Sequence, residues 1–453
     1  MGSGSERFFD STGDIFESLK CCIEKKDGVA VVTDEPSLRE DCIDVLVYNA
    51  AINPDAEIKA GARAVIRELA KDLGIRLASI QNLYEAMGSG KAGGFTVPAI
   101  NIRGLTYYTA RAVFRAAKKN DAMAFIFEIA KSEIAYTEQE PDEYAITILA
   151  SAIKEGHRGS VFIQGDHFQI NAKNYGTDSE KEVSSVKNLI SKALKAGFYN
   201  IDIDASTVVD LSKPNITEEQ RPNFEITAEL TKFIRANEPE GITVSIGGEI
   251  GEVGKKNSTE EELRAFMDGY LELIDNGVTG ISKVSVQTGT SHGGVVLPDG
   301  SIAKVAVDFD TIEQLTKVSK DSYGLSGVVQ HGASTLPDDA FHVFPERGAS
   351  EVHLATGFQN MLYDSEAFPK ELKDEVYAYL KENMKADWAD GLTEEQFIYK
   401  TRKKGFGPFK KKMWDISEDS KAKIGQELED RFDMLFKSLK AVNNSGLVNG
   451  LVK

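Results

Sequence analysis

Cysteine is scarce in this chain: 453 residues carry three, Cys21, Cys22 and Cys42, all near the N-terminus. An odd, clustered set provides no disulfide framework and suits a reducing, cytoplasmic setting. The adjacent Cys21-Cys22 pair reads as helix packing rather than redox chemistry. Long apolar runs are missing as well. No stretch of about 18 apolar residues occurs, so no transmembrane helix is expected. The opening MGSGSERFFDSTGD has no basic region followed by an apolar one, so no secretory signal is expected. Gly2 does not make a myristoylation site, because Glu6 stands where serine or threonine is required. Basic residues are in deficit, 53 Lys and Arg against 71 Asp and Glu, for a net charge of −18. Such a surface repels nucleic acid and anionic membranes. It still admits an anionic substrate wherever a metal ion or backbone N–H groups make a local positive site. There is no internal repeat and no low-complexity tract.

What is present is a globular composition, 41% apolar and 27% charged. The length allows one large barrel with additions or two to three ordinary domains. From residue 95 onward, short β-rich runs alternate with longer helical stretches. The runs are FTVPAIN (95–101), AMAFIFE (122–128), SVFIQGD (160–166), YNIDID (199–204), ITVSIGGE (242–249), GISKVSV (280–286), GVVQH (327–331) and SEVHLAT (350–356). Between them lie amphipathic segments such as TYYTARAVFRAAKKN (106–120) and SSVKNLISKALKAGF (184–198), the second stopping at Gly197. Eight such units predict an α/β chain built on a (β/α)8 TIM barrel. A doubly wound sheet fits less well, since no G-x-G-x-x-G follows the first strand. A barrel needs about 250 residues. Residues 91–365 supply them, leaving a mostly helical N-terminal extension (1–90), with GVAVVTD as one candidate strand, and a C-terminal helical arm (366–453).

Histidine is rare too, at six residues, yet three sit beside glycines or acids at the ends of strand-like runs: His167 after VFIQGD, His292 in SVQTGTSHGG and His331 in GVVQHGAST. In a barrel of this kind the C-terminal ends of strands meet at one mouth. Three imidazoles plus an open position form the ligand set of a catalytic zinc. Asp166, beside the first imidazole, is placed to move a proton on what the metal polarises. Glu249 ends the fifth run and offers a fourth or alternate ligand.

VFIQGDHF, GFYNIDIDAS, IGGEIGEVG, TGTSHGG, VVQHGAS and VHLATG occur in this order. Together they resemble the class II, metal-dependent fructose-bisphosphate and tagatose-bisphosphate aldolases, from about Phe95 to Thr356. The resemblance implies a zinc-dependent barrel that cleaves a ketose phosphate by a retro-aldol reaction through a dihydroxyacetone phosphate enediolate. It also implies a homodimer or larger assembly. By position, His167, His292 and His331 match the zinc ligands, Glu249 an acid of the metal region, and Asp204 the place of a second, divalent or monovalent, cation. Asp166 matches the residue that exchanges a proton with the C4 oxygen. Gly293, Gly332, Ser334 and Thr356 match positions around the phosphate, and Asn101 a substrate-contacting asparagine.

The chain departs from that pattern in places. His353 stands where an asparagine usually touches the enediolate, and Gly357 where an aspartate follows. The usual paired glutamates beyond GEIG are replaced by a stretch from Glu252 to Asn257. Glu128 and Ala130 replace a glutamine and a serine on the second strand. The distal half of the substrate site is therefore rewritten, with Lys131, Lys255 and Lys256 as candidate anion contacts and His353 as an acid–base group, ligand or substrate contact. Arg402, in the basic stretch 400–412, either reaches a neighbouring subunit's site or belongs to a solvated loop. Two other classes compete: a metal-dependent hydrolase, disfavoured because Asn101-Ile-Arg103 replaces the His-x-His of such barrels, and an inactive sugar-phosphate-binding homologue.

Overall fold

The structure, a computed structural model, describes residues 8–251, 256–289, 296–298 and 307–452. Two short strands, β1 (Ile23–Lys26) and β2 (Val29–Val32), pair as an antiparallel hairpin near the N-terminus. A third, β3 (Ile75–Ala78), precedes the eight that the sequence predicts: β4 (Val97–Asn101), β5 (Ile126–Ala130), β6 (Gly159–Gln169), β7 (Asn200–Asp204), β8 (Ser245–Glu249), β9 (Lys283–Val286), β10 (Val328–Gln330) and β11 (Glu351–Leu354). All eight are parallel. β11 pairs with β4 and β6 pairs with β7, which closes the ring. The fold is a (β/α)8 barrel with helical parts at both ends.

The closed ring follows from the strand sequences. β4, β5, β7, β8, β9, β10 and β11 are buried at every position, as parallel strands covered on both faces must be. The outer helices keep one apolar face. Thr106–Lys119 buries Tyr107, Ala110, Val113, Phe114 and Ala117 and carries Lys118 and Lys119 at its negative end. Ser179–Ala196 is capped by the Asp178 side chain and ends at Gly197, whose φ of 97° is left-handed.

β3 has a role that its four residues IRLA do not announce. It pairs with the first half of β6, Ile75 opposite Gly159 through Ala78 opposite Phe162, below the point where β7 joins at Gln164. The Asn200 side chain accepts from Ile80 N and donates to the carbonyls of Ala78 and Ile163, bridging the two strands. The helix Gln81–Gly88 that follows packs Leu83, Tyr84 and Met87 against Val97, Ala99, Ile126 and Phe162, near the strands' N-terminal ends. Burial of these side chains is worth roughly 1.5–3 kcal/mol each. The floor of the barrel is thus plugged, and its mouth lies at the opposite, C-terminal ends.

Beyond the barrel, Glu418–Ser438 lies along Thr106–Lys119, joined by Arg115 Nε to Glu429 and by Asn120 Nδ2 to Asp433 Oδ1 at 2.7 Å. Among the described residues no helix is long and apolar enough to cross a membrane.

Candidate active site

The mouth is shaped first by an irregularity in β6. Its pairing with β7 shifts register between Gly165 and Phe168, a bulge. His167 within it has a φ of 40°, which an imidazole adopts only at a cost. Gly165 is required there, since a Cβ would sit 2.4 Å from the Phe168 ring. In a regular strand Asp166 and His167 would point to opposite faces. The bulge lets both line the same cleft.

Asp204, at the end of β7, receives the other side of the imidazole. His167 Nδ1 lies 3.0 Å from Asp204 Oδ2. Asp204 Oδ2 also accepts from Gln169 Nε2 at 2.6 Å, and Oδ1 accepts from Ser206 Oγ at 2.7 Å and Ser206 N at 3.1 Å. Burial opposes charge on this carboxyl, but the bonds from His167, Ser206 and Gln169 hold it below the usual range. An ionised carboxylate only accepts, so Nδ1 of His167 carries the proton and Nε2 faces the cleft. This is the carboxylate–imidazole arrangement that orients metal ligands.

His331, just past β10, stands with its ring centre 4.3 Å from that of His167. Its Nε2 is 2.9 Å from Ser285 Oγ and 3.4 Å from Glu249 Oε2. Donor atoms of Asp166, His167 and His331 all lie within 4.8 Å of one another, close enough to share a cation. Two imidazoles, one backed by a carboxylate, are chemically suited to a divalent transition metal, and Asp166 stands beside them. Without a cation, burial works against protonation of His167, but Asp166 and Asp204 raise its pKa well above the ordinary value. His292 and Gly293 lie outside the described residues.

His353 extends the row, its ring centre 4.1 Å from that of His331. It is buried in a charged layer beneath the cleft. Its Nδ1 is 3.0 Å from Glu128 Oε2 and 3.3 Å from Asp166 Oδ1, and its Nε2 is 2.5 Å from Glu351 Oε1. Lys283 Nζ, only 1% exposed, donates to Gln164 Oε1 (2.7 Å), Asp202 Oδ2 (3.0 Å) and Glu351 Oε1 (2.6 Å). Tyr84, from the plug helix, donates to Glu351 from below. Burial alone would discharge His353, yet Glu128, Asp166 and Glu351 raise its pKa well above the ordinary value. Burial pushes Asp202 up to about 6, against the pull of Lys283. Two cations thus face four carboxyl groups packed under the cleft floor, and burial raises the Glu128 carboxyl well above its ordinary range, toward the neutral form.

The opposite wall comes from the ends of β4, β10 and β11. Asn101 Nδ2 donates to Glu133 Oε2 at 2.7 Å. Arg103 Nε donates to Glu133 Oε1 at 2.7 Å, and its Nη1 to Gln359 Oε1 at 2.8 Å and Thr356 Oγ1 at 3.3 Å. Gly332 begins a single turn over Ala333–Thr335, and Ser334 Oγ accepts from Gly357 N at 3.0 Å. A Cβ on Gly357 would lie 2.5 Å from the Ser334 carbonyl, so this close approach excludes the aspartate that the resemblance puts there. Asn101, Asp166, His167, His331, Gly332, Ser334, His353 and Thr356 all line one cleft of about 230 Å³. Glu249 and Asp204 flank the imidazoles without lining it.

Other expected contacts are engaged elsewhere. Lys131 Nζ is held by Glu182 Oε1 and the Gln169 carbonyl, both at 2.9 Å, and Lys256 by Glu262 Oε1 at 2.9 Å. Lys255 lies outside the described residues. Arg402 is neither solvated nor extended from the molecule: it is 5% exposed and donates to Asp364 Oδ1 (2.7 Å), Asp364 Oδ2 (3.1 Å) and Asn360 Oδ1 (2.6 Å) of its own chain.

The fold and mouth define a (β/α)8 barrel with an imidazole–carboxylate cluster suited to a metal at its catalytic end. The sequence profile of the class-II fructose-bisphosphate aldolases matches residues 81–419, well over half of the chain, and the chain belongs to that family. Among solved structures it is similar to a fructuronate-tagaturonate epimerase of Cohnella laeviribosi (12% identity, TM-score 0.54, 95% of this chain and 94% of that one). It is also similar to a protein described as a probable tagatose 6 phosphate kinase of Sinorhizobium meliloti (17%, TM-score 0.52, 78% and 93%). A fructose-bisphosphate aldolase of Campylobacter jejuni aligns at 16% identity with TM-score 0.48 over 82% and 96%. Likeness at these identities shows the fold alone. No curated protein matches the sequence.

Proposed function

We propose that this chain is a zinc-dependent aldolase that cleaves or forms a ketose phosphate, with dihydroxyacetone phosphate as one product. The observation that carries the reading is the convergence of Asp166, His167 and His331 donors within 4.8 Å at the mouth of a class-II aldolase barrel. In this reading His167 and His331, with His292, hold the cation, and Asp204 orients His167 from behind rather than binding a second ion. Glu249, 3.4 Å from His331, is an alternate ligand. When bound, zinc supplies Lewis acidity at the substrate carbonyl.

The rest belongs to the protein. Breaking the C3–C4 bond requires that the C4 hydroxyl lose its proton. Asp166, 5% exposed and beside the ligands, receives it and returns it to the aldehyde in the condensation direction. Gly332, Ser334 and Thr356, which line the cleft, take the phosphate, with Gly293 assigned there by the resemblance alone. Asn101, fixed by Glu133, orients the substrate hydroxyls. His353, clamped between Glu128 and Glu351, lies too deep in ion pairs to act as a freely turning acid; it fixes the Asp166 carboxylate from below.

A specific observation favours an altered distal specificity. Ala130 and Glu133 line the cleft, and Lys131 and Lys256 are already paired. The sugar end beyond C4 is therefore not that of an ordinary 6-phosphate. A screen of ketose phosphates on zinc-loaded protein, with and without chelator, tests the proposal. Release of dihydroxyacetone phosphate that chelator abolishes is expected. Bound zinc with no ketose phosphate cleaved points instead to a binding homologue. The same proposal takes the protein to be cytoplasmic and a homodimer or larger.

A further inference from the structure

The cleft is divided by charge. Acids and imidazoles occupy its floor, while Arg103, Lys400 and Lys403 line another side of it. Lys400 and Lys403 come from the C-terminal segment, at the end of the helix Glu394–Thr401 and in the turn Arg402–Gly405. Four other lysines of this basic segment have carboxylate partners: Lys404 with Asp387 and Lys410 with Glu143, both at 2.7 Å, Lys411 with Asp415 at 2.5 Å, and Lys412 with Glu375. Lys403 has none. Half-buried, it makes no hydrogen bond or ion pair among the described residues and lies 5.7 Å from the centre of the Tyr136 ring. Burial first, and then the nearby Arg103, lower its pKa. Arg103 spends Nε and Nη1 on Glu133, Gln359 and Thr356, while its Nη2 has no acceptor among the described residues. A desolvated ammonium beside a guanidinium with a spare donor is costly unless an anion joins them. Thr356, bonded to that guanidinium, is the first residue of the helix Thr356–Asp364.

We propose that Lys403 and Arg103 form a cationic clamp on the phosphate of the substrate, so that the C-terminal segment completes the active site of its own chain. The identity of the anion as a phosphate ester rests on the aldolase reading above. The clamp itself rests on the two cations. Two positive groups suit a dianion, and a monocarboxylate would leave one cation uncompensated.

The test is calorimetric titration of full-length, zinc-loaded protein with inorganic phosphate and, separately, acetate. Wild type is compared with K403M, K403Q and the control K404M, whose lysine is paired with Asp387 and does not line the cleft, at matched thermal midpoints. Phosphate should bind wild type and K404M alike, roughly tenfold or more weaker in K403M and K403Q, and acetate should bind wild type far more weakly than phosphate. Phosphate binding that is unchanged in both Lys403 variants overturns the clamp, and acetate binding as tight as phosphate overturns the phosphate assignment. The ketose-phosphate cleavage assay on the same samples separates the two ideas. A Lys403-dependent phosphate site in a protein that cleaves nothing leaves the clamp standing and removes the aldolase reading; active protein indifferent to Lys403 does the reverse.

Discussion

Asp204 Oδ2 accepts from Nδ1 of His167 at 3.0 Å, across the gap between two neighbouring barrel strands. The contact exists because a bulge in β6 turns His167 into a left-handed conformation, and because Asp204 ends β7 with its remaining lone pairs filled by Gln169 and Ser206. It fixes which ring nitrogen faces the cleft.

Replacing Asp204 by asparagine should therefore weaken metal binding without removing it. Loss of such a partner costs about 10- to 100-fold in affinity. Chelator competition measures this. An unchanged affinity separates Asp204 from the metal site, and a total loss of metal makes it a direct ligand.

Asp166→Ala should leave metal content at its wild-type level while kcat for ketose phosphate cleavage falls by about 100- to 10,000-fold. Elemental analysis and turnover on one sample decide it. If the metal disappears with the carboxylate, Asp166 supports the cation rather than the proton.

Lys283→Met should destabilise the fold by about 3–5 kcal/mol, because it leaves Asp202 and Glu351 buried without their cation. Urea unfolding of the two proteins gives the difference. A change below about 1 kcal/mol means that His353 and Gln164 alone satisfy those carboxylates.

The pH dependence of stability should carry a signature of His157, remote from the cleft. Burial beside Phe114 pushes its pKa down to about 4, while Nε2 meets the Ser160 carbonyl at 3.1 Å. The depressed value means that the fold favours the neutral ring. The unfolded chain takes up the proton first as pH drops below about 6.5, so this contribution is present above that pH and is lost between 6.5 and 4. Allowing for partial exposure, it amounts to roughly 2 kcal/mol. His157→Gln should flatten the unfolding profile across that window, and an unaltered slope contradicts the assignment.

The eight barrel strands were legible because each is a short apolar run followed by a helical pattern. His167 and His331 were legible as residues of one cleft because rare imidazoles sit at strand ends. β3 was not: IRLA is four residues with one charge, and only pairing with β6 makes it a strand. The buried layer of Lys283, Asp202 and Glu351 left a readable trace, since GISKVSV, NIDID and EVHL each place a charge inside a strand that packs on both faces. Read alone, such a charge is as easily a solvated edge. Its partners come from strands far apart in sequence, and only closure of the ring brings them together. Arg103 was visible as the residue that broke a His-x-His pattern, but its bond to Glu133 depends on where the helix after β5 begins. Arg402 was expected to act outward because its neighbourhood is basic; Asp364, on a preceding helix, draws it inward instead.

Anomalous scattering at the zinc edge from crystals of zinc-loaded protein tests the central claim most directly. The account predicts one strong peak at the barrel mouth, about 2.0–2.1 Å from ring nitrogens of His167, His331 and His292. A mouth with no peak, or a peak whose ligands omit His167 and His331, contradicts it.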